Sequence, residues 1–94
     1  MDGHKTAKQM ERHIKGMANH WRIEILLCIA KQAGITVEGI INDLNGNDKT
    51  IGEHIRRLHH AGLIDKKYQG RSVRHTLSPY GKKFVAFLQS FQDF

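Results

Sequence analysis

Near the middle of the chain, between Thr36 and Leu77, the apolar residues change their period, and that change limits the possible folds more than any other feature. Thr36 can cap a short helix, Val37 to Leu44, with Ile40, Ile41 and Leu44 on one face. Asn45-Gly46-Asn47 breaks this helix as a tight turn. Asn47 or Asp48 then caps a second helix that reaches His60, with Ile51, Ile55 and Leu58 as its inward stripe and Gly62 as its stop. From Leu63 the pattern becomes extended. Leu63 to Tyr68 and Arg71 to Leu77 are two runs separated by Gln69-Gly70, which is the pattern of a β-hairpin.

Helices flank this block. Thr6 and Gln9 have the spacing of a capping box, followed by apolar residues at Ala7, Met10, Ile14 and Met17, a narrow stripe in steps of three and four. Asn19 caps a helix to about Gln32 that is apolar nearly all round, and this is expected to be the buried centre. Ser78-Pro79 opens a last helix that runs close to the end of the chain. With 94 residues and no repeat or linker, the chain is expected to form one domain, 1–94. The expected fold is mainly α with a small β-hairpin wing: a winged helix-turn-helix of about five helices.

Charge is unevenly distributed along this framework. Residues 1–48 hold six basic and six acidic groups. Residues 49–83 hold nine basic groups against only Glu53 and Asp65, a net of +7, and Asp93 brings the chain to +6. Such a concentration points to a polyanion, and double-stranded DNA fits the helix pair. A helix of this kind fills the major groove, and a hairpin tip can lie on the backbone or in the minor groove. Lys49, Thr50, Glu53, His54, Arg56 and Arg57 on the second helix, with Arg71 and Arg74 at or just beyond the hairpin tip, are the candidate DNA-binding residues.

Four segments in this order resemble the ArsR-like (arsenical-resistance repressor-like) winged-helix regulators. Met17-Ala18-Asn19-His20-Trp21-Arg22-Ile23-Glu24-Ile25-Leu26 is similar to their opening L-A-D-x-x-R-x-x-I-L. Lys49-Thr50-Ile51-Gly52-Glu53-His54-Ile55-Arg56-Arg57-Leu58 resembles their recognition-helix pattern S-T-V-S-x-H-L-x-x-L. Ala61-Gly62-Leu63-Ile64 is similar to the A-G-L-V before the wing, and Leu77-Ser78-Pro79-Tyr80-Gly81 to the L-T-x-x-G before the last helix. The resemblance implies a cytoplasmic homodimer that binds an operator, and the leading expectation is a repressor that occludes a promoter as a two-fold dimer. Gly52 and Lys49 depart from the pattern, so the helix carries over rather than each contact.

Phe84, Phe87, Phe91 and Phe94 follow steps of three and four on the last helix, widened by Leu88. With Met10, Ile14 and Met17 of the first helix they form the expected homodimer interface, over residues 6–17 and 79–93. Other functions find little support in the sequence. The third helix lacks the Cys-x-Cys of the metal-sensing relatives, the last helix lacks histidine, and His59 and His60 diverge on a helix, so no metal or other cofactor is expected. The histidines are read as surface or phosphate-contacting groups. Cys28, the lone cysteine, reads as a buried structural thiol that fits a reducing compartment. No phosphate loop or nucleophile motif suggests an enzyme. The longest apolar run, Ile25 to Ala30, is too short to enter a membrane as a span, and no signal peptide is visible. A winged-helix module for protein or RNA, or a ligand-sensing MarR-like regulator, remains the alternative.

Overall fold

The computed structural model describes residues 3–93. These residues form α1 (Ala7–Met17), α2 (His20–Lys31), α3 (Val37–Leu44), α4 (Asp48–His60), β1 (Ile64–Gln69), β2 (Ser72–Leu77) and α5 (Pro79–Gln92). This is a winged helix-turn-helix, with α3 and α4 as the helix pair and β1–β2 as the wing.

Side-chain caps delimit the helices. Thr6 Oγ1 accepts the Gln9 N–H at 3.1 Å and the Gln9 side chain accepts the Thr6 N–H at 2.8 Å, closing a capping box. Asn19 Oδ1 takes the N–H groups of Trp21 and Arg22. Thr36, Asn47 and Ser78 cap α3, α4 and α5. Asn45 ends α3 in the left-handed conformation, at φ 53°, and turns the chain into α4.

The core forms around α2. Ile25, Leu26 and Ile29 are fully buried, together with Ile40 of α3, Ile51 and Leu58 of α4, and Leu63 and Ile64 at the wing's base. Each such side chain contributes about 1.5–3 kcal/mol. The hairpin pairs Ile64 with Leu77 through Gln69 with Ser72. Ile35 adds a single bridge to the outer edge of β2: the Gly34 N–H donates to the His75 carbonyl, and the His75 N–H to that of Ile35. Ser78 ties the wing's base to α5, donating to the Gly62 carbonyl at 2.6 Å and accepting the Gly81 N–H.

The structure corrects several positions. The loop residues of the hairpin are Gly70 and Arg71, one place later than Gln69-Gly70, with Gly70 at φ 59°. His75 is not a surface histidine: it is 2% exposed, and its Nδ1 donates to the Ile35 carbonyl at 2.9 Å. Met17, placed above in an interface between copies, is buried in its own core, because α1 ends there and the chain turns inward through Ala18 into α2. Phe84 and Leu88 also lean on that core, with Val85 buried beside them, so the stripe of α5 splits. Phe94 lies outside the described residues.

Candidate nucleic-acid interface

With Ile51, Ile55 and Leu58 held inside, α4 turns its other face to solvent. Lys49, Arg56 and Arg57 are exposed, and Thr50, Glu53 and His54 are half-buried. Glu53 organises the cations. Its carboxylate accepts from Arg56 Nη2 at 2.8 Å and Nε at 3.1 Å, and from Arg57 Nε at 3.0 Å. These bonds hold the Glu53 carboxyl below the usual range, and Glu53 in turn raises the Arg56 guanidinium. Glu53 therefore orients two arginines on this face. Lys49, Thr50, Gly52, Glu53, His54 and Arg56, with Asp48 at the helix start, line a shallow depression along this face.

The wing stands across a cleft from α4. Lys66 pairs with His75 and Tyr68 with Val73, so these four share a face of the ribbon, and they line the cleft with Gly52 and Ile55 of α4. Arg71, in the loop, sits at the cleft's outer end. Arg74 is placed differently from expectation. It pairs with Lys67 on the opposite face, three residues from the loop, and Arg74 Nη1 donates to the Gly34 carbonyl at 3.3 Å. The structure thus brings Lys49, Thr50, Glu53, His54, Arg56 and Arg71 to one side and sets Arg74 behind the wing.

His54 is unusual within this group. Its Nδ1 is buried without a hydrogen-bond partner, as is Nε of Arg22 at the start of α2. Burial lowers the pKa of both, and they lie close enough to Arg57 for its charge to lower them further. Arg12, Lys15 and Arg22, all from the electrically neutral half of the sequence, join Arg56 and Arg57 along the same flank. The sequence reading passed over these three, although Arg22 fills the arginine position of the opening motif.

Elsewhere the chemistry is muted. The Cys28 thiol is buried and directed at Asp43 Oδ2, 3.7 Å away, and burial beside that carboxylate pushes its pKa up to about 11, so it is no ready nucleophile. Among the described residues no three His, Cys, Asp or Glu side chains converge as metal ligands would. Among them too, no helix is long and apolar enough to cross a membrane. On the far side from the core, Phe87 and Phe91 are 57% and 67% exposed and stacked at 5.8 Å. On α1, Met10 and Ile14 are 46% and 49% exposed. The two helices meet where His13 packs on Tyr80 at 4.8 Å.

Residues 20–66, half of the chain, match the model of the bacterial regulatory protein arsR family. No curated protein sequence matches the chain. Among solved structures, HlyU from Vibrio cholerae N16961 superposes with a TM-score of 0.84 at 22% identity, over 95% of this chain and 97% of that one. The homodimeric winged helix-turn-helix DNA-binding domain of Mb0332 from Mycobacterium bovis, a possible ArsR-family transcriptional regulator, gives 0.80 at 24% identity, over 99% and 91%. The transcriptional repressor PagR of Bacillus anthracis gives 0.79 at 20% identity, over 86% and 93%.

Proposed function

The chain belongs to the arsR family of bacterial regulatory proteins, and from that premise we propose that it is a sequence-specific double-stranded DNA-binding regulator. In this reading it acts in the cytoplasm as a homodimer that represses by covering a promoter. Family and fold are those of transcriptional regulators, which act by binding rather than catalysis. The observation that carries the reading is the placement of the exposed cationic face of α4 and of Arg71 on one side of the molecule, across a cleft. That arrangement suits a recognition helix in the major groove with a wing on the adjoining backbone.

Lys49, Thr50, Glu53 and Arg56 occupy the part of α4 that would reach base edges. His54 and Arg57 sit at its flank, and Arg71 is assigned to phosphate or minor groove. Arg74, tied to Gly34, is assigned at most a backbone contact. The homodimer is assigned to α1 and α5 through Met10, Ile14, Phe87 and Phe91. Phe84, Leu88 and Met17 support that surface from within the protomer. A two-fold pair would set two copies of α4 about one turn of DNA apart, roughly 34–36 Å.

Gel shifts with native genomic fragments at two salt concentrations test this. A dimer that neutralises about 6–10 phosphates should lose roughly 10³–10⁵ in affinity between 50 and 200 mM salt, and one fragment should outcompete random duplex. Affinity that stays flat with salt, or identical for every fragment, would reject the reading.

A further inference from the structure

Charge counted along the chain leaves the first half neutral, but folding sorts it. Gly16 of α1 lies directly against Ala61, and a side chain there would collide with the Ala61 methyl group. This close approach brings α1 against the end of α4. Arg12 follows, and its Nη2 donates at 2.8 Å to the His60 carbonyl, in the last turn of α4 where cations are favoured. Asn19 starts α2 nearby and presents Arg22 from its first turn. The result is an open groove lined by Arg12, Lys15, Arg22, Arg56, Arg57 and His60. Among the described residues, the carboxylates paired with this set are Glu11, 3.3 Å from Lys15, and Glu53 on the two α4 arginines.

We infer that this groove is a second phosphate-binding surface, which seats DNA backbone beyond the segment held by the recognition helix and wing. Three features favour an anion there. Among the described residues the cations outnumber their carboxylates. Arg22 Nε is buried without a partner, a state that costs stability unless an acceptor arrives. Burial, and after it the charge of nearby Arg57, weakens the hold of Arg22 on its proton, and a phosphate between the two guanidinium groups would offset that repulsion. The groove shares Arg56 with the recognition face, so one continuous cationic track runs from the depression on α4 to α1. A duplex backbone carries charge at the regular spacing such a track requires.

This inference rests on the DNA-binding reading above, and its test separates the two. Binding to a random-sequence 30-base-pair duplex is measured from 50 to 200 mM salt, which needs no operator. In a two-fold dimer each substitution removes two contacts, so Arg22→Gln and Lys15→Gln should each lower the slope of log K against log salt by about 2 and weaken binding roughly a hundredfold at 0.1 M salt. Lys31→Gln, the same loss of charge at the other end of α2, should leave the slope unchanged. Thermal melting reports whether each variant is folded, and Lys15, an exposed side chain, keeps the test valid if Arg22→Gln is unstable. Groove variants that match Lys31→Gln while Arg71→Ala lowers the slope would overturn the groove alone. A wild type with no salt-dependent binding would overturn both readings. Stabilisation by millimolar inorganic phosphate that Arg22→Gln abolishes, with no change in the duplex slope, would mark a free-anion site and also reject the proposal.

Discussion

Phe87→Ala tests the proposed dimer where the structure separates exposed rings from core. A phenylalanine side chain offers on the order of 200 Å². With 57% of Phe87 and 67% of Phe91 exposed, a partner could cover about 115–135 Å² on each ring, or about 3 kcal/mol apiece at ~25 cal/mol per Å². A two-fold interface repeats each contact, so one substitution removes two rings. Allowing for incomplete coverage and the retained Cβ, about 4 kcal/mol of association should vanish, a loss of roughly 10³ in dimer affinity. The stacking of Phe87 on Phe91 at 5.8 Å means that truncating both should cost less than the sum of the two single changes. Phe84→Ala is the contrast. Its ring leans on the core, so it should lower the melting temperature of the protomer more than it weakens association. Sedimentation velocity over a concentration series reads both effects. A wild type that is monomeric at tens of micromolar, or a Phe87→Ala dimer within tenfold of wild type, would refute the assignment.

Arg56→Ala should cost about 1–3 kcal/mol of discrimination between the preferred and random duplex, whereas Arg71→Ala should weaken both about equally; a competition titration shows which, and reversed behaviour would exchange the groove assignments. A Cβ added at Gly52 meets nothing within 4 Å, so Gly52→Ala should stabilise α4 by about 0.5–1 kcal/mol, while Gly81→Ala, whose Cβ would strike the Leu63 carbonyl oxygen, should destabilise the fold; melting curves that move together would contradict both. Burial holds the His75 pKa below its ordinary value. The unfolded chain therefore takes up a proton first as pH falls below about 6.5, and stability should be complete above that pH and decline by at most about 1.4 kcal/mol per pH unit beneath it. His75→Gln should flatten the decline, and a wild-type melting temperature constant from pH 7.5 to 5.5 would exclude the effect.

Local chemistry made the element boundaries legible in the sequence. Thr6, Asn19, Thr36, Asn47 and Ser78 each carry a side-chain oxygen that satisfies amides only at a helix start, and each is found there. The hairpin loop was displaced by one residue because polar strands carry little register information. The residue that anchors β2 is His75, whose imidazole is polar yet almost completely buried. Its ring bond and backbone bridge to Ile35 lie forty residues away in sequence, beyond the reach of any period.

The same limit governs the surface. A helical stripe shows which residues share a face, but not which edge of that face meets the core. Met17, Phe84 and Leu88 therefore moved inward while Met10, Ile14, Phe87 and Phe91 stayed out. Charge behaves likewise. In the first half of the chain Arg12, Lys15 and Arg22 are balanced on paper by acidic residues, but the fold carries some of those acids elsewhere. Asp43 accepts from Gln32 and Cys28 on the far side of α2, and Glu38 faces the wing cleft. Beside α4 the first half contributes Arg12, Lys15 and Arg22 against Glu11, with Asp48 at the helix start, so cations still exceed acids there. A sum along the chain placed the whole excess in residues 49–83. The folded protein extends it onto α1 and α2, where a DNA backbone passing the recognition helix would next make contact.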